Sequence, residues 1–307
     1  MNNQKFQDMK ITAKGEQRAY VELTGLETLW FNTGTLCNLE CKNCYIEFSP
    51  KNDRLSYITD EEVAAYLDEI SKEKLPVKMI GLTGGEPFLN PYIIKVLTLI
   101  LKSGLEVLVL TNANRVLKRH QAALLELKEK YHDKLHLRVS LDHFTEEIHD
   151  AERGEGAFSR TMEQLKWLNE NGFNLSLASR SLLTETHEES IIGHEKALSD
   201  YGIKINLAEK LVVFPEMLSG RDVPEITTDC WNILDKSPAQ QMCATERMIV
   251  KRKGEQKPVV MPCTLLAYDD KFVMGQSLKE SEDKVYLNHR FCAEFCVLGG
   301  ASCSSTN

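Results

Sequence analysis

The chain has 307 residues, 42% of them hydrophobic and 27% charged, with a formal net charge of −8. That length allows two average domains or one large α/β barrel with an appendage, and the composition excludes a disordered or collagen-like chain. The acidic balance lacks the footprint of a nucleic-acid binder, and no apolar run approaches the ~20 residues of a membrane span, so neither partner is expected.

Residues 1–27 read as a short extension whose first part is polar and mixed in charge. It resembles neither a signal nor a transit peptide, which predicts a cytoplasmic protein. Thr28–Thr33 reads as a strand and Thr59–Glu73 as a helix opened by a Thr59-x-x-Glu62 capping box. Lys78–Thr83 is a second strand, and Pro91–Ser103 a helix closed by Gly104. Glu106–Thr111 is a third strand, with helix Leu117–Tyr131 behind it. His136–Ser140 is a fourth, followed by helix Phe158–Asn171 and Gly172. Asn174–Ser179 is a fifth, followed by a helix near Glu188–Asp200, and Lys204–Phe214 reads as a sixth.

Strand-then-helix units in series call for parallel strands joined by right-handed crossovers. The short apolar strands suit a sheet covered on both faces. A partial (β/α)6 barrel of the TIM type fits, and a doubly wound open sheet competes with it. In such barrels the chemistry sits in the loops at the C-terminal ends of the strands. The alternation stops near Phe214, where Pro215, Gly220, Pro224 and Pro238 interrupt the chain. Met248–Lys251 and Pro258–Met261 then read as two strands around the turn Lys253-Gly254-Glu255. The expected division is a barrel over residues 28–222 and a smaller cysteine-rich domain over 223–307.

Nine cysteines in a cytosolic chain argue for metal or catalytic roles over disulfides. Cys37, Cys41 and Cys44 crowd together directly after the first strand. A structural zinc site takes four protein ligands. Three thiolates at the mouth of a barrel suit an iron–sulfur cluster with one open coordination position. Gly84-Gly85-Glu86-Pro87 closes the second strand on the same face. Its glycines let backbone approach a ligand, with an acceptor beside it.

Together, Cys37-x-x-x-Cys41-x-x-Cys44 and Gly84-Gly85-Glu86-Pro87 resemble the radical S-adenosylmethionine superfamily. The resemblance continues through Thr111-Asn112-Ala113, where the family has Gly in place of Ala113, and through Ser140-Leu141-Asp142. His149-Asp150-x-x-Arg153-Gly154 follows, as in the branch that holds molybdenum-cofactor cyclase and peptide-modifying members. The resemblance implies a 4Fe-4S cluster on Cys37, Cys41 and Cys44. It also implies S-adenosylmethionine on the open iron, cleaved on reduction to a 5′-deoxyadenosyl radical that abstracts a substrate hydrogen. Gly84, Gly85, Glu86 and Pro87 would bind its methionyl ammonium. Ser140 and Arg180 would hold its carboxylate or ribose, with Asn112 and Asp142 nearby. Asn43 stands where the family places an aromatic residue against the adenine, and Tyr45 follows the third cysteine. A reductase such as flavodoxin or ferredoxin is implied as the electron donor.

Cys243 and Cys263 bracket the predicted hairpin, and Cys292-x-x-x-Cys296 and Cys303 follow. This order resembles the twitch form of the SPASM auxiliary-cluster domains. The resemblance implies one auxiliary Fe-S cluster held by Cys243, Cys263, Cys292 and Cys296, with Cys303 as a substitute ligand. Four thiolates also make a structural zinc site. Phe291 and Phe295 flank the terminal pair and would shield a cluster from water. Cys230 reads as a lone buried hydrophobe.

The expected activity is an oxidative modification of a small molecule or peptide by a radical S-adenosylmethionine enzyme. With only about 27 residues before the first strand, a small molecule is modestly favoured. A cyclase-like rearrangement with substrate on the auxiliary cluster and a non-catalytic zinc-binding protein are the alternatives. The cyclase's C-terminal Gly-Gly is absent, the chain ending Ser304-Ser305-Thr306-Asn307. No catalytic side chain is assigned from the sequence.

Overall fold

A computed structural model describes residues 4–181, 185–217 and 220–303, so the Ser304–Asn307 tail lies outside the described residues. In chain order the main elements are β1 (Tyr20–Val21), β2 (Thr28–Asn32), α1 (Asp60–Glu73), β3 (Met79–Thr83), α2 (Ile93–Lys102), β4 (Glu106–Thr111), α3 (Gln121–Tyr131), β5 (Leu135–Ser140), α4 (Glu146–Arg153) and α5 (Ala157–Glu170). There follow β6 (Asn174–Arg180), α6 (His187–Asp200), α7 (Leu207–Lys210), β7 (Leu211–Phe214), α8 (Cys230–Ile233), β8 (Glu246–Val250), β9 (Val259–Met261) and β10 (Val285–Tyr286).

The main sheet has the order β7-β6-β5-β4-β3-β2-β8-β9. Strands β2 to β7 lie side by side in chain order and all parallel. A doubly wound sheet reverses its order at a switch point, and this one does not. The architecture is the partial α/β barrel expected from the sequence. Strand β8 joins it from the C-terminal segment, parallel to β2, with β9 antiparallel beyond.

Alternation along each strand separates two cores. Leu29, Phe31, Ile80, Leu82, Val107, Val109, Leu137 and Val139 face the helices and pack with Val63, Leu67, Val96 and Leu165. Trp30, Leu108 and Met248 point the other way, into a cluster with Cys243, Cys263 and Phe295. The C-terminal segment therefore fills the concave side of the sheet. Gly81 makes room for this, since a Cβ there would lie 2.2 Å from the Trp30 ring. Residues 4–27 pack on the same segment: β1 pairs with β10, and buried Arg18 meets Glu225 at 2.6 Å.

The Thr59 capping box forms as read, with Glu62 as its reciprocal partner. The stretch read as one strand over Lys204–Phe214 instead turns once as α7 before β7 begins. Leu-Ala-Glu-Lys are all good helix formers, and their propensity wins until Leu211 pairs with β6. Helix α3 starts at Gln121, after a 3₁₀ turn over Leu117–His120.

Candidate functional site

The loops after β2 and β3 meet first. The amide of Gly85 donates to the Gly34 carbonyl at 2.9 Å, and that of Glu86 to the Leu36 carbonyl at 3.1 Å. A Cβ on Gly85 would lie 2.1 Å from the Leu36 oxygen, so only glycine lets the cysteine loop settle here. Pro87 opens a 3₁₀ turn capped by Glu86.

Glu86 is buried, and its carboxylate accepts from Thr111 Oγ1 at 2.9 Å and from the backbone amides of Asn112 and Phe88 at 2.8 and 3.1 Å. Burial outweighs these donors and raises its pKa to about 7. The acceptor that the sequence assigned to a ligand's ammonium is thus already engaged within the protein, tying the loops after β3 and β4 together. Asn112 Nδ2 donates to Asn38 at 3.0 Å and lies 3.7 Å from Cys37 Sγ. Ala113 has a φ of +45°, a left-handed conformation that accounts for glycine at the corresponding position of the family pattern.

The loops after β5 and β6 build an ionic cluster beside the cysteines. Asp142 takes a bidentate pair from Arg153 at 2.6 and 2.8 Å, and Arg180 Nε lies 3.5 Å from it. Burial would raise the Asp142 pKa, but the two guanidinium groups win and hold it at about 2. Arg180 Nη1 also donates to the Asn43 carbonyl at 2.5 Å. Asn43 is exposed, and its amide groups donate to Glu152 at 2.7 and 2.8 Å, which latches α4 onto the cysteine loop. Glu152 escaped the sequence reading. Arg153 was visible only as part of a family motif, without a role.

A depressed carboxylate stabilises the fold above its unfolded pKa and loses that contribution as pH falls through the folded value. Asp142→Asn should lower the stability of the metal-free protein by about 3 kcal/mol at neutral pH, because Arg153 stays buried without its partner. The gap between variant and wild type should narrow from about pH 4 towards pH 2. Thermal melts across that range check this, and a gap independent of pH would contradict the pairing.

Ser140, Asp142, Arg153 and Arg180 line one cavity with Cys44 and Tyr45. The far wall is Thr264, Leu265 and Cys303 from the C-terminal segment. All nine cysteines are free. Burial pushes the Cys37 thiol up to about 12 and raises Cys41, while the Arg153 charge opposes both shifts. Three thiols on one loop, with a cation and an amide facing them, are a soft donor set that suits an iron–sulfur cluster.

The second cysteine set gathers behind the cavity. Cys243 precedes β8, Cys263 follows β9, and Cys292 and Cys296 share a π-helix over Cys292–Leu298. Such helices recur at functional sites. Burial raises the pKa of all four thiols, Cys263 and Cys243 add to the shifts of Cys292 and Cys296, and Cys303 adds to that of Cys296. Among the described residues no three His, Cys, Asp or Glu side chains are placed to hold a single metal ion. Cys303 packs in the same cluster, its thiol accepting from Thr264 Oγ1 at 3.2 Å and its carbonyl from Arg138 at 2.6 Å. Cys230 is half-buried and accepts from the Thr227 amide at 3.4 Å, so it is not the core residue expected. It sits at the start of α8, where the helix leaves it partly open to solvent.

Comparison with known proteins agrees with this geometry. The chain is 33% identical over 143 residues to the antilisterial bacteriocin subtilosin biosynthesis protein AlbA of Bacillus subtilis, covering 46% of this chain and 30% of that protein. It is 27% identical over 216 residues to the mycofactocin maturase MftC of Mycobacterium ulcerans, covering 70% and 53%. It thus spans about a third to a half of the length of these relatives. Streptococcus suis SuiB, solved with its precursor peptide SuiA, shares the fold with a TM-score of 0.60 at 15% identity, over 85% of this chain and 66% of that one. The anSMEcpe structure with bound AdoMet also gives 0.60 at 16% identity, over 86% and 82%. No helix of the described residues is long and apolar enough to cross a membrane. The radical SAM superfamily model matches residues 31–191, just over half the chain and the stretch that carries both the cysteine loop and the Gly84–Pro87 turn, so the protein belongs to that superfamily.

Proposed function

We propose that this protein is a radical SAM maturase that oxidatively modifies a peptide or small molecule with help from an auxiliary Fe-S cluster. One observation carries the reading: a single cavity lies between the Cys37–Cys44 loop with its ionic cluster and the C-terminal segment bearing the second set of thiols. Cys37, Cys41 and Cys44 would hold the 4Fe-4S cluster, and Cys243, Cys263, Cys292 and Cys296 the auxiliary one. When reduced, the first cluster supplies the electron that cleaves S-adenosylmethionine, drawn from a flavodoxin- or ferredoxin-type reductase. The names of AlbA and MftC, and the SuiB complex with its precursor peptide, favour a peptide over the small molecule.

The chain's own residues bind and orient. Gly84, Gly85, Glu86 and Pro87 shape the turn for the methionyl ammonium, and Asn112 tunes Cys37 through its amide. Ser140 and Arg180 offer donors to the carboxylate or ribose at neighbouring strand ends. Asp142 keeps both guanidinium groups in place, and Asn43 fixes the loop through Glu152. Cys303, on the cavity wall with Thr264, would contact substrate or substitute as a ligand.

Charge-assisted contacts contribute roughly 1.5–3 kcal/mol, so Arg180→Ala should weaken S-adenosylmethionine binding about tenfold to a hundredfold. Unchanged affinity in an anaerobic titration would move the carboxylate role elsewhere. The reading as a whole is tested by incubating reconstituted, reduced protein with S-adenosylmethionine. It predicts 5′-deoxyadenosine, and fully loaded protein that forms none would overturn it.

A further inference from the structure

Tyr45, directly after Cys44, does not stand free in the cavity. Its hydroxyl donates to the Pro215 carbonyl at 2.8 Å. Its ring meets Phe295 edge-on, centroid to centroid 5.8 Å, and carries the Arg180 guanidinium on its face at 4.7 Å. Phe295 is 1% exposed, lies on the π-helix between Cys292 and Cys296, and packs on Phe214 at the end of β7 at 5.3 Å. One line of contacts therefore runs from the second cysteine set, through two aromatic rings, to the arginine of the first site.

We infer that Tyr45 is a positioning residue that couples the C-terminal cysteine centre to Arg180, so that S-adenosylmethionine affinity depends on how that centre is assembled. The inference rests on the reading of Arg180 as a cofactor contact. Other groups hold Arg180 from the barrel and the cysteine loop: Asp142 and Glu152, each at 3.5 Å, and the Asn43 carbonyl. The tyrosine ring is the support that also touches the C-terminal segment, through Phe295. A guanidinium over a buried ring contributes enough that losing it should weaken binding roughly three- to tenfold. Tyr45 would lose its orientation if Phe295 no longer backed it, because the Pro215 bond fixes only the hydroxyl end. The π-helix that aims Phe295 also sets where Cys292 and Cys296 lie, so ring and thiols move together.

The test is anaerobic titration of S-adenosylmethionine into iron-loaded wild type, Tyr45→Leu, Phe295→Leu, the double variant and Tyr45→Phe. Iron content and the spectrum of the reduced first cluster are followed in parallel. Each leucine variant should weaken binding three- to tenfold with that cluster intact. The double variant should be no weaker than Tyr45→Leu, since removing the tyrosine ring already cuts the line. Tyr45→Phe should bind as wild type, because the ring, not the hydroxyl, faces Arg180. Wild-type affinity in Phe295→Leu, or fully additive losses in the double variant, would overturn the coupling. If Tyr45→Leu fails to keep its first cluster, Phe295→Leu, outside the cysteine loop, decides alone. Undiminished binding in Arg180→Ala would instead remove the underlying reading of Arg180, and the coupling with it.

Discussion

Reconstituted protein in which Cys37, Cys41 and Cys44 are all alanine is expected to lose about four irons per chain and all formation of 5′-deoxyadenosine. Soft iron–sulfur bonding needs thiolate, and neither a methyl nor a hydroxyl replaces it. The loop itself should largely persist: the thiols of Cys37 and Cys44 accept from the Leu39 and Phe48 amides at 3.4 and 3.3 Å, but its ties to the rest of the barrel run mainly through other groups. Gly85 and Glu86 donate to Gly34 and Leu36, and Lys42 donates to the Glu152 carbonyl at 2.9 Å, none through a cysteine side chain. The triple variant should therefore melt near the metal-free wild type while losing its chemistry. Burial favours the protonated thiol at Cys37, pushed up to about 12, and at Cys41, so loading must release protons. Retained cleavage of S-adenosylmethionine by the purified triple variant would end the assignment of this loop.

Much of this site was legible because its signals are local. Three cysteines in eight positions and a Gly-Gly-Glu-Pro turn are adjacent in sequence, and the strand-then-helix order places both at one mouth. Strand bounds held where one face packs on helices, as at Glu106–Thr111, which matches β4 residue for residue. What failed to show depends on distant partners. Glu86 looks like a free acceptor until Thr111 and Asn112 arrive from the next strand end. Nothing near Glu152 signals that it meets Asn43 across 109 positions. The strand β8 was read as part of a separate hairpin, because its parallel pairing to β2 joins residues more than two hundred positions apart and leaves no local pattern. The short helix α7 was missed for the opposite reason, since four residues are too few for a period to register.

The same distinction governs the second large effect, at the C-terminal cysteines. Sequence spacing offers Cys303 as a substitute for Cys292 or Cys296, and the fold adds a second set of contacts to it. Besides burial, the charges of Cys263 and Cys243 raise both Cys292 and Cys296, and Cys303, which also raises Cys296, is held in addition by Thr264 and Arg138 on the cavity wall. Fully reconstituted wild type should hold about eight irons per chain, and the variant lacking those four cysteines about four. Cys303→Ser should keep all of them while altering turnover, since a serine there can still accept from Thr264 but removes a thiol from the cavity wall. The four-cysteine variant should still cleave S-adenosylmethionine, with an affinity lowered only by the factor carried through Phe295 and Tyr45. It should lose turnover of the true substrate, because on the proposed reading a cluster on these thiols would accept the electron left after hydrogen abstraction. One equivalent of zinc with only four irons in the wild type would show that these thiols are structural and would remove the oxidative mechanism.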